Sequence, residues 1–178
     1  NIKDILFDAE VFTYDPKWLK DFSFAYKKEI NLPCFVWAHP NTIKEETVYY
    51  LKSMNCYAIE IGVQSINPKI RETVLHRYYT NDAVKNAIQL IKENRISCIV
   101  DNIIGLPGET IKDIEDLIEF YSETRPNRIY VFYLRFFPRT DIVNIANLDT
   151  KSINLIERKG HSASFTIQER YLSGQDSR

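Results

Sequence analysis

The residues with most to say about chemistry are Asp101 to Thr110, which read Asp-Asn-Ile-Ile-Gly-Leu-Pro-Gly-Glu-Thr. An apolar run, Cys98-Ile99-Val100, leads into them, and the amphipathic segment Ile111 to Tyr121 follows. That order describes a buried strand, a sharp glycine–proline turn and a helix capped by Thr110. Ligands of parallel α/β folds sit beyond the carboxyl ends of the strands. Asp101 would therefore offer a carboxylate at such a rim, with Gly105 and Gly108 letting backbone approach a bound molecule closely. The cysteines carry a different message. Cys34, Cys56 and Cys98 lie 22 and 42 residues apart, a spacing that cannot wrap one metal cluster. They read as buried small apolar residues in a reducing cytoplasm. His39, His76 and His161 are widely scattered and read as solvated or turn residues.

The elements that position these residues alternate along the chain. Candidate strands are Ile5–Phe7, Phe35–Ala38, Tyr57–Val63, Ser97–Ile104 and Ile129–Leu134, with starts spaced by 30, 22, 40 and 32 residues. Such spacing suits repeated βα units joined by right-handed crossovers. The intervening helices carry start signals. Asp15-Pro16 places a cap before a first-position proline. Thr42 with Glu45 reads as a capping box before a helix over Lys44–Met54. Asn67-Pro68 opens another helix, and Thr80 with Asp82 opens one running to Asn94. In that last helix Val84, Ala87, Ile88 and Ile91 form one apolar stripe. In Ile111–Tyr121 the stripe is Ile111, Ile114, Leu117, Ile118 and Tyr121. Past Leu134 the pattern breaks down, because Pro138, Asn144, Asn147 and the polar run Lys151–Gly160 interrupt any long element. Ser164–Ile167 could form one short strand, and Ser173–Arg178 looks frayed. The expected division is a barrel-like part over residues 1–141 and a polar extension over 142–178.

Composition narrows the class. With 178 residues the chain fills one core and is too short for a closed eight-unit barrel, which takes about 250. A formal net charge of −1 with no basic tract gives no electrostatic case for nucleic acid. No apolar stretch approaches the roughly 20 residues that span a bilayer, so no membrane is expected. The chain starts at Asn1 without methionine and enters a strand by Ile5, which reads as an excised piece of something longer. The fold class expected is α/β, an incomplete barrel or open parallel sheet of about five strands.

Five stretches, taken together, resemble the radical S-adenosylmethionine (SAM) enzymes, especially the branch associated with a cobalamin-binding domain. They are Phe7-Asp8-Ala9-Glu10-Val11-Phe12, Glu60-Ile61-Gly62-Val63-Gln64-Ser65, His76-Arg77-Tyr78-Tyr79-Thr80, Asn102 through Thr110, and Pro138-Arg139-Thr140. The resemblance implies a six-unit partial barrel with SAM across the carboxyl ends of its strands. It also implies a [4Fe–4S] cluster held by a Cys-x3-Cys-x2-Cys loop, and reductive cleavage of SAM to a 5′-deoxyadenosyl radical. That loop is missing from this sequence, so the polypeptide as written is expected to hold no cluster and to be inactive by itself. For a longer parent the resemblance implies S-adenosylmethionine and the cluster as cofactors, with cobalamin added in the cobalamin-associated branch; none is expected bound to this fragment.

The same resemblance gives roles to individual residues. Asp101 stands where the family places a ribose-binding carboxylate, and Gln64 matches a strand-end glutamine that can hydrogen-bond the same sugar. Arg77 matches an arginine that pairs with the methionine carboxylate. Gly105 and Pro107 shape the turn beside the adenine. Asp8 and Glu10 lie where a Gly-Gly-Glu stretch often contacts the methionine amine, though Asp8-Ala9-Glu10 departs from that pattern. Trp37 sits where some relatives carry a carboxylate. The aromatics Tyr130, Phe132, Tyr133, Phe136 and Phe137 read first as packing, and otherwise as walls for a flat organic substrate. Similar enzymes include the anaerobic magnesium-protoporphyrin monomethyl ester oxidative cyclases and carbon methyltransferases. The reaction stays open between cyclisation, methylation and methylthiolation. Two other readings stand beside this one: a non-radical barrel domain binding a nucleotide-like ligand, and an interaction module. Expected partners are a small organic substrate, a cobalamin module of the parent chain, and a second copy of this chain pairing along the Ile5–Phe7 edge.

Overall fold

The computed structural model describes residues 2–161. Five strands alternate with helices: β1 (Ile5–Phe7), α1 (Pro16–Glu29), β2 (Cys34–Ala38), α2 (Glu45–Ser53), β3 (Cys56–Gln64), α3 (Pro68–Thr73), α4 (Asn81–Glu93), β4 (Ser97–Ile104), α5 (Ile111–Thr124) and β5 (Arg128–Tyr133). Two more helices follow, α6 (Asp141–Ile145) and α7 (Thr150–Lys159). The strands form one parallel sheet in chain order, β1-β2-β3-β4-β5. Each expected strand lies within a residue of its observed limits. Neighbouring parallel strands joined by crossovers of one hand put their helices on one face of the sheet. This is the α/β class that the alternation predicts, in the partial-barrel order.

Most helix starts follow their signals. The Asp15 carboxylate accepts from the N–H groups of Lys17 and Trp18 at 2.9 and 3.2 Å. Asn67 accepts from Ile70, and Thr80 from Ala83. The capping box at Thr42 and Glu45 does not form. Helix α2 follows Lys44 with no side-chain cap. Thr42 instead ends a 3₁₀ turn, Pro40–Thr42, and its hydroxyl bonds the His39 carbonyl at 2.8 Å. The reason is His39-Pro40: proline starts its own tight turn one step earlier, and His39 Nδ1 accepts the Asn41 N–H at 3.2 Å.

The chain clusters into two compact units. Among the described residues, the first takes 2–64, 79–102 and 118–130; the second takes 65–78, 103–117 and 131–161. The expected boundary at 141/142 falls inside the second unit. In the first, Val36, Ile59, Ile61, Val63 and Val100 are wholly buried, as are Ile88 and Ile91 of the expected α4 stripe. The opposite face of its sheet carries a smaller cluster of Phe35, Ala58 and Ile99 flanked by Trp37 and Tyr130. In the second, Ile70, Leu106, Leu134, Phe136, Val143 and Ile156 form the core.

Three packing expectations change. In α5 the buried seam runs through Leu117 and Tyr121, whereas Ile111 and Ile118 are exposed. Of the aromatics expected to pack, Phe136 is fully buried but Phe132, Tyr133 and Phe137 are half exposed, because β5 ends the sheet. The polar run from Lys151 forms α7 instead of interrupting it. Asp149 caps the start by accepting from Ser152 at 2.6 Å, and Gly160 ends it at φ 79°. Only Ile156 and Ser152 need to be buried, so a narrow seam was hidden in polar composition. The short strand expected over Ser164–Ile167 and the fraying over Ser173–Arg178 lie outside the described residues.

Candidate functional site

Strand alternation puts Phe35 and Trp37 of β2, Ala58, Glu60 and Gly62 of β3, and Ile99 and Asp101 of β4 on one face. The register is explicit: Trp37 lies opposite Glu60, Glu60 opposite Ile99, and Gly62 opposite Asp101. The next rung breaks step. Gln64, not Val63, lies opposite Asn102, so Val63 is an extra residue and β3 bulges. Without it Gln64 would stand two residues beyond Asp101, roughly 6.6 Å along the strand. The bulge takes back one step. Gln64 itself adopts φ 60°, a left-handed backbone uncommon for a residue with a side chain. Its Nε2 then donates to Asp101 Oδ2 at 3.0 Å. The other carboxylate oxygen, Oδ1, is shut off from solvent.

The surrounding residues hold this geometry. Tyr79, buried, donates its hydroxyl to the carbonyl of the bulged Val63. Asn102, next to Asp101 and wholly buried, accepts from the Tyr121 hydroxyl at 2.8 Å and reaches the Tyr130 carbonyl at 3.5 Å. Burial pushes the Tyr121 phenol up, so it stays a neutral donor. Glu60 was missed as a site residue, although its spacing from Gly62 and Gln64 signals the same face. Burial raises its carboxyl above the usual range and the Asp101 charge adds to this; the Trp37 indole hydrogen bond pulls the other way.

Other expected site residues fall in the second unit. Gly105 and Pro107 are buried in the turn after β4, and Gly105 and Gly108 adopt φ 81° and 80°. A side chain on Gly108 would meet no protein atom within 4 Å, so within the protein it is the positive backbone angle that calls for glycine there. Glu109 closes the turn, its Oε2 accepting from the N–H groups of Gly105 at 2.5 Å and Leu106 at 3.3 Å. Thr110 caps α5 through Asp113, whose carboxylate accepts from the Thr110 N–H and hydroxyl and from Asn67 Nδ2. Burial would raise Asp113, but the Thr110 and Asn67 bonds outweigh it and hold the carboxyl low. Arg71, a buried charge that sequence reasoning passed over, donates to the Ser65 carbonyl at 3.2 Å. Its own carbonyl accepts the N–H of half-buried Arg77 at 2.9 Å.

Asp8 and Glu10 are exposed in the turn after β1, and neither makes a hydrogen bond or ion pair among the described residues. The cysteines do not fit an iron–sulfur cluster. All three are buried free thiols on separate strands, Cys34 directly opposite Cys56. The neighbouring Cys34 thiol and burial push Cys56 up, and burial pushes Cys98 up to about 12, so both stay protonated, not metal-binding thiolates.

A carboxylate inside β4 hydrogen-bonded to an amide at the end of β3 is a pair of the chemical kind that binds sugar hydroxyls.

Comparison with known proteins agrees with this fold. The family model of the radical SAM superfamily matches residues 5–121, more than half the chain. A tRNA-2-methylthio-N(6)-dimethylallyladenosine synthase of Clostridium tetani is 29% identical over 102 residues, 55% of this chain and 22% of that protein. An uncharacterized methyltransferase of Pyrococcus horikoshii is 29% identical over 123 residues, 67% of this chain and 26% of the other. The chain thus spans about a quarter of the length of these curated relatives. Among solved structures, the radical SAM methyltransferase TsrM of Kitasatospora setae, with cobalamin and a [4Fe–4S] cluster bound, superposes with TM-score 0.72 at 20% identity, covering 82% of this chain and 29% of that one. Coproporphyrinogen III oxidase HemN of Escherichia coli gives TM-score 0.68 at 16% identity, covering 97% and 39%.

Proposed function

This chain belongs to the radical SAM superfamily, and we propose that it supplies the nucleoside-holding part of the SAM site in an enzyme that transfers a methyl or methylthio group to an organic substrate. The hydrogen bond from Gln64 at the end of β3 to Asp101 on the neighbouring β4, at 3.0 Å, carries the reading. Asp101 accepts from the ribose hydroxyls, and the Gln64 amide holds that carboxylate while its carbonyl oxygen takes a further hydroxyl. When bound, SAM supplies radical and one-carbon chemistry. No reductive step is derived from this chain, since its cysteines do not fit the cluster. Group transfer is favoured over oxidative cyclisation because the curated relatives described above are methylthio- and methyltransferases. Partnership with a cobalamin module extends the same reading from the likeness to TsrM. A second reading, a nucleotide-binding domain without radical chemistry, rests on the same Gln64–Asp101 pair.

Calorimetric titration with 5′-methylthioadenosine tests the site. The wild-type chain is expected to bind, Asp101→Asn to bind about tenfold more weakly through loss of a charge-assisted hydrogen bond, and Gln64→Ala to weaken in the same direction. Equal affinity in both variants, with circular dichroism unchanged, would refute the assignment.

A further inference from the structure

We propose that Glu60 anchors the acceptor substrate, and that the group it receives is an N–H-bearing nitrogen on a flat aromatic or heteroaromatic body. This rests on the cofactor reading above and names the substrate class of the same site. Glu60 shares its sheet face with Gln64 and Asp101 but stands two residues before Gly62, the partner of Asp101. That places it roughly 6.6 Å further back along the strand than the sugar-holding pair. It lies on the same face as that pair and too far back to grip the same hydroxyls.

The carboxylate is held and is not neutralised by a neighbour. Trp37 lies directly across from it in the register, and the indole's pull on the carboxyl opposes that of burial. Glu60 makes no ion pair among the described residues. An acid kept half-buried beside a second carboxylate works against stability unless something with positive charge or N–H donors arrives. Glutamine would satisfy the indole equally well, so the hydrogen bond alone does not explain an acid. On the same face of the sheet Phe35, Ala58 and Ile99, with Trp37 and Tyr130 packed against them, form a buried, partly aromatic cluster. Rings beside a carboxylate suit a flat nitrogenous body.

The chain has two tryptophans, and Trp37 lies against Glu60, so Trp18→Phe leaves a reporter in the site. Fluorescence titration of that chain with 2-phenylethylamine and with its neutral analogue 2-phenylethanol reads the anchor directly. The amine is expected to bind about tenfold more tightly, the size of one charge-assisted hydrogen bond. Glu60→Gln is expected to abolish the preference and leave 5′-methylthioadenosine binding unchanged. Equal binding of amine and alcohol by the wild type, or a preference that survives Glu60→Gln, overturns the proposal. So does a Glu60→Gln effect on S-adenosylhomocysteine without one on methylthioadenosine, because Glu60 would then hold the cofactor's ammonium. Failure of the wild type to bind methylthioadenosine, with amine discrimination intact, would count against the cofactor reading alone. If Glu60→Gln does not fold, a crystal of the wild type soaked in 2-phenylethylamine decides: nitrogen at the Glu60 carboxylate supports the proposal, and nitrogen elsewhere refutes it.

Discussion

Glu60 is held in a setting that disfavours its charge, and the sign of the consequence can be worked out. Its folded-state carboxyl titrates above the unfolded value because of burial and the Asp101 charge. The native chain therefore holds more protons than the unfolded chain just above the ordinary carboxylate range, and stability falls as pH rises through that window. Glu60→Gln is expected to raise the melting temperature at neutral pH and to lose this advantage in acid, as scanning calorimetry at several pH values would show. Asp113 works the other way. The Thr110 and Asn67 bonds hold it low, so its contribution is present at neutral pH and lost on acidification; Asp113→Asn should flatten the acid limb of the stability curve. Gln64 and Asp101 were legible because each ends an apolar run. Glu60 was not singled out, since a polar residue alternating inside a strand looks like ordinary solvent exposure until the neighbouring strands are in place. Glu109 and Arg71 were illegible for a related reason: their partners are backbone groups of turns.

Among the elements, strands were the most legible, because apolar runs bounded by turn residues leave little freedom in their limits. Helix α7 was not, as two buried side chains in ten residues give a weak pattern. Truncating Ile156 to alanine should nonetheless cost about 2–5 kcal/mol, read by urea denaturation, since it is wholly buried in the second core. The bulge in β3 makes a sharper test. Tyr79→Phe leaves the Val63 carbonyl without its hydroxyl donor, for about 1–3 kcal/mol. Because that bond supports the turn at Gln64, the variant should also bind methylthioadenosine more weakly.

At the scale of the molecule, β1 and β5 end the sheet among the described residues. β1 is only three residues long with Leu6 exposed, and β5 exposes Ile129, Val131, Phe132 and Tyr133. Strand edges of this kind recruit other strands, and self-association is the expected behaviour in solution. Sedimentation velocity should show a concentration-dependent dimer that Leu6→Lys or Val131→Lys shifts toward monomer; a monomer at every concentration would reject it. No described helix is long and apolar enough to cross a membrane. The unmatched Val63 has a last implication, for heredity. Removing that codon would restore an unbroken ladder and swing the glutamine amide to the helix-covered side, away from Asp101. Among descendants of this gene, the interval from Glu60 to Gln64 should therefore resist both insertion and deletion, even where neighbouring loops drift freely in length.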